Sequence, residues 1–128
     1  MAEPYSLAGK HVLITGAGSG IGRLMALGAA RRGATYLVLC DLNLDSAKAV
    51  ATEVEALGAS ALAMTVDVSK KSAVTTAATK VLAKSGHLDV LINNAGVVVG
   101  KNFLELEEKD VSLTYSVNTF ALYWTIQA

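Results

Sequence analysis

Residues 11–33 read HVLITGAGSGIGRLMALGAARRG, and this stretch decides the fold. His11–Thr15 is a short apolar run of β-type residues. Thr15-Gly16-Ala17-Gly18-Ser19-Gly20-Ile21-Gly22 is a glycine turn, and a helical pattern follows at once. The spacing predicts a helix over about Ile21–Arg32, with Ile21, Leu24, Met25, Gly28 and Ala29 on one buried face. Gly33, after Arg31-Arg32, is a helix stop whose preceding charges suit the dipole. A glycine turn between a strand and a helix is what phosphate binding requires. The backbone can approach a pyrophosphate closely, and the helix start offers free N–H groups and a positive dipole end. The glycines are spaced G-x-x-x-G-x-G, at Gly16, Gly20 and Gly22, with Gly18 extra, rather than the usual dinucleotide spacing G-x-G-x-x-G.

Working outward, the same strand-then-helix unit recurs. A second run, Tyr36–Cys40, precedes a helix over about Asp45–Leu57 with Ala47, Val50, Ala51, Val54 and Leu57 inward. A third run, Ala61–Val66, precedes one over about Lys71–Lys84 with Val74, Ala77, Ala78, Val81 and Leu82 inward; Gly58 and Gly86 are stops. A fourth run, Leu88–Asn93, leads to a loop rich in Asn, Gly and Val, and then a helix from near Glu107 to the end. Strands alternating with helices of ten to fifteen residues imply a parallel sheet covered on both faces. The expected fold is therefore α/β: a Rossmann-type doubly wound parallel sheet, three-layer αβα, in one domain over residues 1–128. Four strand–helix units are about half of such a fold, and the last helix carries no stop signal. The sequence thus reads as truncated at its C-terminus.

Composition narrows the function. Lys plus Arg number 11 and Asp plus Glu 11, so no charge excess marks a nucleic-acid or anionic-membrane surface. At 52% hydrophobic and 17% charged, the chain is too apolar for disorder, yet its apolar runs are too short to span a bilayer. One cysteine, Cys40, excludes an internal disulfide. Residues Met1–Lys10 lack a basic start followed by an apolar run, Pro4 lies before the fold starts, and the expected location is cytoplasmic. His11 and His87 stand alone in the sequence, no Cys/His/carboxylate cluster has metal spacing, and no G-x-S-x-G elbow is present. Asp41 beside Cys40 disfavours a reactive thiolate. Lys70-Lys71 and Glu105–Asp110 read as solvated faces or helix-start charge, and Tyr123 and Trp124 as core or contact residues.

Asp41 closes the second strand, nineteen residues beyond Gly22, close to the ~20 expected for an acid that binds the adenosine ribose. A carboxylate there accepts hydrogen bonds from a diol and repels a 2′-phosphate. Ser19 and Leu42 put no arginine at the two nearest positions, so the residues favour NAD over NADP; Arg23 is the nearest cation against this. Asp67 falls on the same carboxyl edge of the sheet, where a turn or capping role is the ordinary alternative. Asn93-Asn94-Ala95-Gly96 ends the fourth strand as an Asx-type turn.

Taken together, the TGxxxGIG turn at 15–22, the acid at 41, Asp67-Val68 and NNAG at 93–96 resemble the short-chain dehydrogenase/reductase family, over essentially the whole chain from residue 7. The resemblance implies an oxidoreductase that moves hydride between NAD(P) and an alcohol or carbonyl compound. It implies that Gly16, Ser19, Gly20, Ile21 and Gly22 cradle the pyrophosphate. Asp41 and Leu42 would border the adenosine ribose, and Asp67 and Val68 would touch the adenine. Asn94, Ala95 and Gly96 would line the nicotinamide-side ribose while Asn93 braces the strand. Asn118, in Ser-Val-Asn-Thr, matches the family asparagine that helps to hold a water in a proton relay. Stretches 92–98 and 118–124 are similar to members that oxidise retinoids and steroids, which implies a lipophilic small-molecule substrate. The last helix resembles one that pairs in family dimers, which implies a homo-oligomer.

The family's Tyr-x-x-x-Lys pair is not found. The residues four beyond Tyr5, Tyr36, Tyr115 and Tyr123 are Gly9, Cys40, Thr119 and Gln127. The sequence therefore reads as the cofactor-binding half of an enzyme, inactive by itself. A non-catalytic dinucleotide-binding sensor is the alternative from another class. A sugar-nucleotide epimerase relative fits the glycine spacing less well.

Overall fold

A computed structural model describes residues 5–128; Pro4 and the start of the Met1–Lys10 stretch lie outside it. Four strands form one parallel sheet: β1 (His11–Thr15), β2 (Tyr36–Asp41), β3 (Ser60–Thr65) and β4 (Val90–Ile92). The order across the sheet is β3-β2-β1-β4. The chain thus winds outward from β1 through β2 to β3, then crosses back to place β4 on the other side of β1. That reversal makes the carboxyl ends of β1 and β4 a topological switch point, where open α/β sheets bind ligands.

The helices are α1 (Gly20–Arg31), α2 (Leu44–Ala56), α3 (Lys71–Ser85), α4 (Glu108–Tyr115) and α5 (Ala121–Gln127); a π-helical turn at Ser116–Phe120 joins the last two. Two cores form, one on each face of the sheet. Val12, Ile14, Leu37 and Leu39 meet Ala26 and Ala30 of α1 and Val50 and Val54 of α2. On the opposite face Val38, Cys40 and Val66 meet Val74, Ala77 and Val81 of α3, with Val117 and Ala121. This is the expected three-layer αβα arrangement. The central strands β1 and β2 are the most buried, and β3 and β4 are half-buried edges.

The structure corrects the expected inner face of α1. Ile21 and Leu24 are 66% and 61% exposed and Met25 is also exposed, whereas Gly22, Ala26, Leu27, Ala29 and Ala30 are buried. The reason is distance. A Cβ on Gly22 would lie 2.0 Å from the Gly16 carbonyl oxygen, so the first turn of α1 sits too close to the turn after β1 for a side chain there. Small residues and Leu27 face the sheet, while Ile21, Leu24 and Met25 flank a shallow groove with Leu7 and Ile92. Leu57 and Leu82 are likewise exposed, each near the end of its helix. Elsewhere the predicted bounds shift by a residue or so. The fourth strand shortens to Val90–Ile92, because Asn93 and Asn94 leave the ladder for side-chain bonds.

His11 and His87 are not isolated. Their rings stack at 4.2 Å where β1 begins, and His87 Nε2 lies 3.3 Å from Asp89 Oδ2. The backbone N–H of His11 donates to that same oxygen at 2.8 Å and holds the Asp89 carboxyl below its usual range. The run Glu105–Asp110 is not uniformly solvated either: Asp110 is buried and forms a reciprocal capping box with Glu107 at the start of α4. Trp124 is half-buried in the second core with the Lys71 ammonium 5.0 Å from its ring centre, while Tyr123 stays exposed.

Candidate functional site

The site grows out of the end of β1. Thr15 is buried, and its Oγ1 accepts hydrogen bonds from the backbone N–H groups of Asn94 and Ala95, both at 3.0 Å. In return, Asn94 Nδ2 donates to the carbonyl oxygens of Thr15 at 3.0 Å and Gly16 at 3.1 Å. Four hydrogen bonds thus lace the β1 turn to the end of β4 across the switch point. They leave little room: a Cβ on Gly16 would lie 2.9 Å from Ala95 Cα, and one on Gly22 2.7 Å from Asn94 Nδ2. Gly16 also has a φ of +65°, which glycine adopts without strain. Gly20, by contrast, has nothing within 4 Å of its would-be Cβ and opens onto the cleft. It is the first residue of α1, where unpaired N–H groups and the positive dipole end face outward.

A cleft of about 540 Å³ lies over this turn, within the range of small-molecule and cofactor sites. Its walls carry Gly16, Ser19, Gly20, Ile21 and Gly22; Asp41 and Leu42; Asp67 and Val68; and Asn94, Ala95 and Gly96. The structure therefore brings together every cofactor-site residue expected from the sequence. Asn118 lies beside the cleft, its Oδ1 3.5 Å from a would-be Cβ on Gly96. A second cavity, about 340 Å³ and mostly apolar, lies between the sheet, α3 and α5 and holds none of the turn glycines.

At one end of the cleft, Asp41 Oδ2 accepts from the Gly18 N–H at 2.8 Å and Oδ1 accepts from the Asn43 N–H at 2.9 Å. The Asn43 side chain in turn caps α2 by accepting from the Ser46 N–H. Arg23, the nearest cation to weigh against NAD in the sequence, gives both arms of its guanidinium to Glu53 of α2. Asp67 Oδ1 accepts from the Ser69 N–H at 3.1 Å and its hydroxyl at 2.6 Å, an Asx turn leading into α3. At the other end, Asn118 Oδ1 accepts from the Val97 N–H and Asn118 Nδ2 donates to the Val97 carbonyl, both at 2.8 Å. The π turn that carries Asn118 widens the helix there, a feature frequent at functional sites. Asn93 Oδ1 accepts from Thr125 Oγ1 at 2.7 Å, which ties β4 to α5.

The Cys40 thiol is buried beneath the site, and burial, with Asp41 next to it, pushes its pKa up to about 12. Among the described residues no three His, Cys, Asp or Glu side chains gather to hold a metal ion. No helix there is long and apolar enough to cross a membrane.

The family model for short chain dehydrogenase matches residues 10–128. The chain belongs to the short-chain dehydrogenase family. It is 41% identical over 123 residues to estradiol 17-beta-dehydrogenase 11 of Mus musculus, covering 96% of this chain and 41% of that protein. It is 42% identical over 124 residues to epidermal retinol dehydrogenase 2 of Homo sapiens, covering 96% of this chain and 40% of that one. A metagenomic short-chain oxidoreductase solved in complex with NADP superposes with a TM-score of 0.88 at 34% identity, over 96% of this chain and 56% of that one. The chain therefore spans about two fifths of the length of these curated short-chain dehydrogenases.

Three residues that brace this short-chain dehydrogenase cleft by hydrogen bonds were not legible as such in the sequence, nor were Val97, Leu113 and Val117 on its wall. Thr15 was visible as the end of β1, but its acceptor role depends on β4 arriving beside it. Gly18 was visible as an extra glycine without a purpose. Thr125 carried no signal, since its partner Asn93 is thirty-two residues away.

Proposed function

We propose that this chain forms the dinucleotide-binding part of an NAD(H)-dependent short-chain dehydrogenase acting on a lipophilic alcohol or its carbonyl counterpart. The observation that carries the reading is Asp41, a carboxylate on the wall of the glycine-turn cleft, held by two backbone N–H groups. Its remaining lone pairs suit the two ribose hydroxyls and oppose a 2′-phosphate. Arg23, the residue that argued otherwise, is engaged by Glu53.

The residues fit a dinucleotide. Gly20 and Ser19 at the start of α1 would take the pyrophosphate, and Asp67 and Val68 the adenine. Ala95 and Gly96 would form a flat wall for the nicotinamide-side ribose. Asn94 works from behind this wall, since its amide nitrogen is spent on the turn. Asn118 fixes the loop after β4 through Val97, and its place in the π turn accords with a proton-relay role. NAD, when bound, supplies the hydride chemistry; this chain's residues position it. The names of the two curated relatives, an estradiol and a retinol dehydrogenase, support a lipophilic alcohol as substrate. The exposed side chains of Tyr123 and Ile126 on α5 support association with a second copy. The Tyr-x-x-x-Lys pair that completes catalysis in the family is not among these residues, so the 128-residue chain binds cofactor without turnover.

Fluorescence titration tests the reading. NADH should bind about tenfold tighter than NADPH, the scale of a charged hydrogen bond, and Asp41→Ala should erode that preference. Tighter binding of NADPH by the unaltered chain, or alcohol-dependent NADH formation above a buffer blank, would overturn the corresponding part.

A further inference from the structure

Gly18 is the glycine that the phosphate turn leaves unexplained. Gly16 and Gly20 have positive φ, and Gly22 has no room for a Cβ against the Gly16 carbonyl. Gly18 has an ordinary φ, so its backbone does not demand glycine. What excludes a side chain at 18 is Asp41. A Cβ there would lie 2.9 Å from Asp41 Oδ2, 3.0 Å from its Cγ and 2.9 Å from Ser46 Cβ. The same residue donates its N–H to Asp41 Oδ2 at 2.8 Å.

These contacts form a ring. Gly18 holds one carboxylate oxygen and Asn43 N–H holds the other. The Asn43 side chain holds Ser46 N–H at the start of α2, and Ser46 Cβ stands against the bare Cα of Gly18. The orientation of the Asp41 carboxylate thus depends on the glycine turn as well as on β2. Ordinary contact begins at about 3.4 Å, so a methyl group at 18 forces the carboxylate, Ser46 or the turn to give way by about half an ångström. That is as wide as the whole 2.7–3.2 Å window in which a hydrogen bond forms.

We propose that Gly18 is a specificity-determining positioning residue of this site. Its N–H and its missing side chain hold the Asp41 carboxylate where it takes both hydroxyls of an adenosine ribose, so that a side chain at 18 moves the preference from NAD(H) toward NADP(H). The proposal rests on the reading of Asp41 as the ribose ligand, and the experiment separates the two. The unaltered chain, Gly18→Ala, Asp41→Ala and the double variant are each titrated with NADH and NADPH, and the ratio of the two dissociation constants is read. We expect Gly18→Ala to shift the ratio toward NADPH by about tenfold, the scale of one charged hydrogen bond. Asp41→Ala should shift it at least as far. The double variant should match Asp41→Ala alone, because the group on which residue 18 acts is gone.

A glycine that serves only the turn gives a different result: Gly18→Ala weakens both dinucleotides equally and leaves the ratio unchanged, and the proposal is overturned while Asp41 stands. Additive shifts in the double variant overturn it as well. An unchanged ratio in Asp41→Ala removes the ribose reading itself, and the proposal with it. Should Gly18→Ala fail to fold, the Gly18 amide resonance of the unaltered chain decides. It should shift in Asp41→Asn, which removes the charge but keeps the shape of the acceptor; a resonance left in place by Asp41→Asn overturns the coupling.

Discussion

Cys40 and Asp41 are neighbours on β2, yet burial assigns them opposite parts. Successive strand residues point to opposite faces, so the thiol enters the core against α3 while the carboxylate reaches the cleft. With its pKa raised to about 12, the thiol at pH 8 is ionised in about one molecule in ten thousand. A disulfide reagent such as dithiobis-nitrobenzoate should therefore leave folded protein unmodified over an hour at pH 8 and should titrate one thiol at once in guanidinium. Rapid modification of the folded form would show that the β2–α3 packing opens easily. The sequence foresaw an unreactive cysteine from the adjacent Asp41, but the larger cause is burial, which depends on α3 covering the strand.

Elements are held at their ends by side chains that reach back. The start of α4 is the clearest case. Glu107 and Asp110 form a capping box, and Lys101 Nζ lies 2.6 Å from Asp110 Oδ2, which fastens the loop after β4 to the helix. The Lys101 ammonium first, and the Glu107 N–H second, hold the Asp110 carboxyl below its usual range. A carboxyl depressed in the folded state contributes stability that is fully present above its unfolded pKa and is lost as pH falls through the folded one. Asp110→Asn should therefore lower the urea midpoint at pH 7. It should also flatten the decline between about pH 4 and pH 2, where the two proteins should converge. Glu53, beside Arg23, and Asp89, beside His11 N–H, are depressed likewise and add to the decline. An acid limb unchanged by Asp110→Asn would show that the ion pair is not formed in solution. The helical period and the acidic start of α4 were legible in the sequence. The Lys101 partner was not, because it lies in a loop without periodicity.

For the whole molecule, the sheet is the shared wall of two cores. Leu37 and Val38, adjacent on β2 and fully buried, face α1–α2 and α3–α5 respectively. Loss of volume at Leu37 should be felt as global unfolding. Leu37→Ala should cost about 2–5 kcal/mol, read as a lower urea midpoint with an unchanged slope. A loss below about 1 kcal/mol, or a changed slope, would mean that the α1–α2 layer melts separately from the rest.

Strand and helix identity, their alternation and the glycine turn were all written locally: in β-type runs, in the 3.6-residue period, and in glycines that stop helices or sharpen turns. The parallel sheet follows from that alternation, because parallel strands need a crossover; the third layer comes from the reversal after β3, which carries the right-handed crossover through α3 to the opposite face. The cofactor-cleft residues were legible through their resemblance to the family pattern; each sits at the carboxyl end of a strand, in the turn after it or in the first turn of the next helix. Tertiary structure alone decided how near the elements stand. It turned Ile21, Leu24 and Met25 of α1 outward and left Leu27 among small residues on the inner face, with no room for a side chain at Gly22 beside the Gly16 carbonyl. It brought Thr15 under Asn94, stacked His11 on His87, engaged Arg23 with Glu53, and set Gly18 against Asp41. Periodicity reports which way a residue faces along its own element. It does not report the distance to the next one, and in this site that distance determines what each residue can do.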